Sequence, residues 1–131
     1  MAHFILEYSK NLSANELKLD ELFQNLHNAA IGTGLFPLAG LRSRAHPCND
    51  YRVADGDSSF AFVHLEVRLG PGRTDEEKQT AADAIFQALS QSLDDCYQQR
   101  GLAISFEMNE LPETLKFNQN NLRAYLSEKQ P

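Results

Sequence analysis

The sequence is short of several things, and each shortage narrows what the molecule can be. It has no tryptophan and only two cysteines, Cys48 and Cys96, in 131 residues. Two cysteines allow one disulfide, but they fall in a predicted loop and a predicted helix. Two free thiols in a reducing cytosol are the simpler reading. Positive charge is scarce: 12 Lys and Arg against 18 Asp and Glu leave a net charge of −6. That argues against nucleic acid as a partner, because such affinity rests on clustered cations that neutralise phosphates. No apolar run approaches the roughly 20 residues that a membrane-spanning helix needs. The stretch Phe4-Ile5-Leu6 is too short for a signal peptide, and polar residues follow at once. The expectation is a cytoplasmic protein without a membrane or nucleic-acid partner.

Chemical motifs are equally sparse. The four histidines, His3, His27, His46 and His64, show no ligand spacing, and the run His46-Pro47-Cys48-Asn49-Asp50 has no second cluster to complete a coordination set. No metal is expected. There is no G-x-S-x-G elbow, and neither cysteine has an adjacent basic residue to activate it. Gly32-Thr33-Gly34 opens like a phosphate-binding fingerprint but lacks the third glycine and follows a helix, so it reads as a loop.

What is present is a patterned globular chain. Apolar residues make up 42% of it, enough for one domain with a real core. A strand opens the chain at MAHFILEYS, where most termini are loose. Ser13-Ala14-Asn15-Glu16 is a capping box. It leads into Leu19, Leu22, Phe23, Leu26, Ala29 and Ala30 at helical spacing, with Gly32 and Gly34 as the stop. Residues 40–46 alternate small or apolar with basic side chains, as a half-buried strand does.

The second half repeats the plan. Ala61, Val63, Leu65, Val67 and Leu69 share one face of a strand. Gly70-Pro71-Gly72 turns into a second capping box at Thr74-Asp75-Glu76-Glu77. Ala82, Ile85, Phe86, Leu89, Leu93, Cys96 and Tyr97 form the next stripe up to Gly101, and Leu102, Ile104, Phe106 and Met108 line a last strand. Ser13 to Thr74 and Gly40 to Gly101 are both 61 residues, while Leu22 to Ile85 and Leu26 to Leu89 are both 63. One period written twice predicts two fused β-α-β units, with pseudo-repeats over about 2–46 and 60–109 of a single domain. Right-handed crossovers make each strand pair parallel. The predicted fold is α+β: a four-stranded mixed sheet with two helices on one face. Tyr51–Ala54 is read as a short extra strand, Ala54–Asp57 as a turn, and residues 118–126 as an Asn-capped C-terminal helix.

The sheet's other face would carry His3, Glu7, Arg42, Arg44, His46, His64, Glu66, Arg68, Ser105 and Glu107, with Phe60 and Phe62 beside them. It is either a solvated face or one buried against copies of itself in a symmetric oligomer. Two arginines stand out. Arg42 lies early on a strand, and Arg73 sits in Gly70-Pro71-Gly72-Arg73 before a helix start. Guanidinium forks suit carboxylates. The plainer reading makes Arg73 a solvated turn residue and pairs Arg42 with Glu7 or Glu107.

Five blocks together resemble one family: HFILEYS at the start, TGLFPLAGLRSRAH at 33–46, VADGDSSFAFVHLEVRLGPGR at 53–73, ISFEMNEL at 104–111 and TLKFNQNNL at 114–122. Over nearly its whole length the chain is similar to the 5-carboxymethyl-2-hydroxymuconate isomerase family of the tautomerase superfamily. The resemblance implies fused β-α-β units assembled as a homotrimer. It also implies a cofactor-free enzyme of homoprotocatechuate degradation, which shifts a double bond by proton transfer in an unsaturated di- or tricarboxylate. In that family an N-terminal proline, exposed by loss of the initiator Met, serves as the base, and arginines hold the substrate's carboxylates. By position the arginines are Arg42 and Arg73, and the proline's place is taken by Ala2.

Ala2 leaves two readings open. With Met1 removed, its primary amine has a reference pKa of about 7.7–8.0, and burial and nearby arginines would lower it. With Met1 retained, its nitrogen is an amide and accepts no proton. The first makes the chain an isomerase; the second makes it a non-catalytic trimeric carboxylate-binding relative. A structural oligomer without a ligand would leave the two matching arginines without a purpose.

Overall fold

The computed structural model describes residues 1–129. Its elements run β1 (Ala2–Ser9), α1 (Ala14–Leu17), α2 (Leu19–Gly32), a 3-10 turn at Leu38–Gly40, β2 (Leu41–Cys48), β3 (Ala61–Leu69), α3 (Asp75–Ser92), α4 (Asp94–Gln99), β4 (Leu102–Glu110) and α5 (Leu122–Lys129). The strand order is β2-β1-β3-β4. β1 is parallel to β2 and β3 to β4, while β1 and β3 are antiparallel and join the two halves.

Alternation decides which face is covered. Ala2, Phe4 and Leu6 of β1 and Ala61, Val63, Leu65, Val67 and Leu69 of β3 are fully buried. Leu22, Leu26 and Ala30 of α2, and Ala81, Ile85 and Leu89 of α3, belong to the same apolar cluster. The sheet's second face stays open. His64 shares its ring nitrogens between Ser105 Oγ at 2.6 Å and Glu107 Oε1 at 2.8 Å. Asn109 Nδ2 donates to Glu66 and Glu107, each at 3.0 Å, and Arg68 Nε donates to Glu66. Register puts Ile5 on this face as well, opposite Arg44 on one side and Glu66 on the other.

Both capping boxes form as the sequence predicts, at Ser13/Glu16 and Thr74/Glu77. Five expectations need correction. The first helix is not continuous: Lys18 adopts φ 47° and separates a single turn from α2. The break lets Leu17 and Leu22 both reach the core, which five-residue spacing on one straight helix would not allow. In α3 and α4 the buried positions are Ala81, Ile85, Leu89, Leu93 and Cys96, whereas Phe86 and Tyr97 are exposed. Phe86 packs edge-on against Phe106 at 6.2 Å, outside the core.

Tyr51–Ala54 is not a strand. The Gly56 N–H closes a turn on the Val53 carbonyl at 2.9 Å, and Arg52 Nη2 donates to the Asp55 carbonyl at 2.8 Å, so this stretch folds on itself. β2 starts at Leu41 because Leu38–Gly40 is taken by the 3-10 turn, and it runs on to Cys48 through Pro47, which an edge strand tolerates. The C-terminal helix begins at Leu122, not at 118. Asn120 Oδ1 accepts the Leu122 N–H at 2.8 Å and fixes that start.

One ion pair joins the start of the first unit to the end of the second. Glu16 accepts the Ser13 N–H at 3.0 Å and an Arg100 Nη1 proton at 3.1 Å. Arg100 also donates to the Ser59 carbonyl at 2.6 Å. Chiefly through the Ser13 bond, the Glu16 carboxyl is pulled down to about 2. A depressed carboxyl stabilises the fold above the ordinary carboxylate range and loses that contribution as pH falls through its folded value. Thermal unfolding should therefore show a falling midpoint between pH 5 and pH 2, and Glu16→Gln should flatten that fall while lowering the midpoint at pH 7.

Candidate active site

Three segments meet at one end of the sheet because of register. Ala2 faces Leu41, the first residue of β2, and Leu69, the last of β3. The start of the chain therefore lies between the entry to one strand and the exit from another. Arg42 follows Leu41, and in register it stands beside His3. Past Leu69, the Gly70 N–H donates to the Met1 carbonyl at 3.2 Å, and the Gly70 carbonyl accepts Arg73 Nη1 at 3.1 Å. A single residue thus holds both the chain start and Arg73.

Arg73 is not the solvated turn residue that spacing suggests. Its Nη2 donates to the Leu35 carbonyl at 2.8 Å, and its guanidinium carbon lies 4.7 Å from the Phe36 ring centroid. Those contacts anchor the loop between α2 and β2 against the turn after β3. Arg42 is half-buried. It forms no ion pair with Glu7, Glu107 or any other carboxylate among the described residues. Glu107 is already engaged by His64 and Asn109.

The structure thus brings Ala2, Arg42 and Arg73 to one place. It also adds residues that the sequence did not single out. The α-amine of Met1 is held below its ordinary value of 8.0, first by burial and then by the charges of Arg73, Arg42 and Lys116. Ala2 itself is fully buried in β1. A cleft of about 350 Å³ next to the amine is lined by Met1, Pro37, Ala39, Gly40, Asn118, Asn120 and Arg123. Gly40 packs directly beside the chain start: a Cβ there would lie 3.4 Å from the Met1 nitrogen and Cα, in ordinary contact. Asn120 Nδ2 donates to the Ala39 carbonyl at 2.8 Å and draws the C-terminal segment over this end of the sheet. Asn118 and Asn120 lie within the TLKFNQNNL block, but nothing in their spacing marks them as lining residues.

Chemically, the site is a nitrogen of weakened basicity among fixed cations, and it suits an anion that must give up or receive a proton. Burial, then the charges of Arg42 and Arg44, lowers the His3 pKa, and Arg44 Nη1 lies 3.2 Å from its Nδ1. Among the described residues no group of three or more His, Cys, Asp or Glu could hold a metal ion. No helix among them is long and apolar enough to cross a membrane.

The chain is similar to known proteins over nearly its whole length. A family model described as 5-carboxymethyl-2-hydroxymuconate isomerase matches residues 2–126. A 5-carboxymethyl-2-hydroxymuconate Delta-isomerase of Escherichia coli is 40% identical over 124 residues, covering 95% of this chain and 98% of that protein. The crystal structure of a 5-carboxymethyl-2-hydroxymuconate isomerase from Deinococcus radiodurans R1 superposes with a TM-score of 0.87 at 35% identity, covering 95% of this chain and 93% of that one. A crystal structure of a 5-carboxymethyl-2-hydroxymuconate delta-isomerase gives a TM-score of 0.87 at 27% identity, covering 96% of this chain and 93% of the other.

Because burial and the two arginines disfavour the ammonium form, the Met1 amine should be neutral at a lower pH than a free amine. Acylation of that amine, followed by mass spectrometry against pH, should titrate below 8.0, and Arg73→Gln should move the midpoint upward. An unchanged midpoint in the variant would mean that Arg73 exerts no field there.

Proposed function

The chain belongs to the 5-carboxymethyl-2-hydroxymuconate isomerase family, and from that membership we propose how its own residues isomerise an unsaturated carboxylate. The chain is an isomerase of the tautomerase superfamily acting on an unsaturated dicarboxylate like those of its relatives. The observation that carries the reading is the meeting of the terminal α-amine with Arg42 and Arg73 at one sheet end.

In the reading, the base is the amine of Ala2 once Met1 is removed. That nitrogen lies one strand residue, about 3.3 Å, further along β1 than the Met1 nitrogen, so it stays within the field of the same arginines. It takes a proton from the substrate's enol hydroxyl. The electron pair moves through the diene, and the ammonium returns a proton to carbon at the far end. Nothing is gained or lost overall, so no oxidant or cofactor is required. A general base contributes about 10²–10⁴-fold to such a step.

Arg42, free of carboxylate partners among the described residues, binds a substrate carboxylate through its fork. Arg73 spends one proton on Gly70 and one on Leu35. The rest of its guanidinium donors face the oxygen that becomes negative in the dienolate.

The open polar face, with Ile5 between Arg44 and Glu66 and with Phe62 near one end, supports assembly as a homotrimer. The substrate class supports a role in homoprotocatechuate degradation. The unpaired thiols of Cys48 and Cys96 fit a cytoplasmic setting.

The central test pairs intact mass of natively expressed protein with an ultraviolet assay of 5-carboxymethyl-2-hydroxymuconate isomerisation. Met-free protein should be active, Ala2→Pro in that form should be at least as active, and Arg42→Ala should lose about 10²-fold in kcat/KM. Protein that keeps Met1 and has no activity would support the binding-only relative instead. Sedimentation should give a trimer, and a monomer would contradict the assembly.

A further inference from the structure

A substrate of this class raises a question of charge that Arg42 and Arg73 do not answer. A muconate carries two carboxylates, and a carboxymethyl arm adds a third. Arg73 has already committed part of its fork to the carbonyls of Gly70 and Leu35, so two arginines face three anionic groups. The cleft beside Met1 is lined by a third arginine, Arg123, and not by Arg42 or Arg73.

Arg123 is set there by a short chain of contacts. Asn120 Nδ2 grips the Ala39 carbonyl at 2.8 Å, next to Gly40 and Met1. The same side chain's Oδ1 accepts the Leu122 N–H at 2.8 Å and starts α5. One asparagine thus fixes the 3-10 turn and the helix start to each other. Arg123, the second residue of α5, is thereby directed to the cleft wall opposite Pro37 and Ala39. Its side chain is exposed and forms no ion pair among the described residues. Among the described residues no carboxylate lines this cleft. A cation without an anion partner among the described residues, on a cleft that Met1 also lines, is suited to an anion from outside.

We infer that Arg123 is a specificity-determining residue that binds the third carboxylate of a tricarboxylate substrate, so that the chain prefers the carboxymethyl-bearing muconate to the plain dicarboxylate. This rests on the isomerase reading above. Lys116, whose charge also reaches the amine, adds to the positive potential at this end of the C-terminal segment but does not line the cleft.

The test compares KM and kcat of wild type, Arg123→Gln and Arg123→Lys on 5-carboxymethyl-2-hydroxymuconate and on 2-hydroxymuconate, which lacks the carboxymethyl arm. Because the guanidinium is exposed, its loss should raise KM for the tricarboxylate by roughly three- to tenfold with little change in kcat. The dicarboxylate should respond by less than about twofold, and Arg123→Lys should keep most of the preference. Equal effects on both substrates, or none on either, would overturn the assignment.

If wild type turns over neither compound, the isomerase reading falls. The assignment is then judged by calorimetry with propane-1,2,3-tricarboxylate. Weaker binding in Arg123→Gln than in wild type upholds it, and any result without that difference overturns it.

Discussion

Antiparallel pairing of β1 with β3 is the constraint on which the rest of this molecule depends. Among the described residues it is the only strand pairing that joins the two β-α-β halves, since β2 and β4 each pair with a single neighbour within their own half. It buries Phe4 and Leu6 against Val67 and Leu65, which closes one apolar layer beneath α2 and α3. The same register places the first residue of β1 opposite the last residue of β3. The core and the candidate site are thus set by one set of cross-strand contacts, and a slip of a single residue would turn Phe4 and Leu6 out and displace the amine.

Crowding positive groups around an amine costs energy, and the structure divides that cost unequally. Arg73 is stabilised by two carbonyls and an aromatic face, so its charge stays in place whatever occupies the site. The arginines do not yield a proton near neutral pH, so the amine is the group that gives way. Weakened basicity at the chain start therefore follows from groups held for structural reasons. Elsewhere the molecule is acidic, with a net charge of −6, so this end of the sheet is an exception to the chain's overall charge.

Much of this was legible in the sequence where a local pattern coincides with a tertiary demand. β3 alternates without interruption and is buried on that pattern, and both capping boxes close where their residues stand. The parallel pairing within each half follows from crossovers of one hand. What escaped were features set by contacts distant in sequence. Lys18 takes a left-handed conformation so that Leu17 and Leu22 can both be buried, and no residue at position 18 announces it. Phe86 and Tyr97 satisfy helical spacing yet are exposed, with Phe86 edge-on against Phe106 of the edge strand β4. At the site, Arg42 and Arg73 stood out by residue type and by resemblance to a family. Lys116 and Arg123 did not, because they arrive through Asn120 bonding to Ala39, 81 residues away.

The bond from Gly70 N–H to the Met1 carbonyl has a consequence for maturation. It is a rung of the sheet ladder that belongs to the residue whose removal would free the Ala2 amine. Trimming the chain exchanges that rung, worth about 1 kcal/mol, for a titratable nitrogen. Rigidity and reactivity are thus set against each other at one peptide bond.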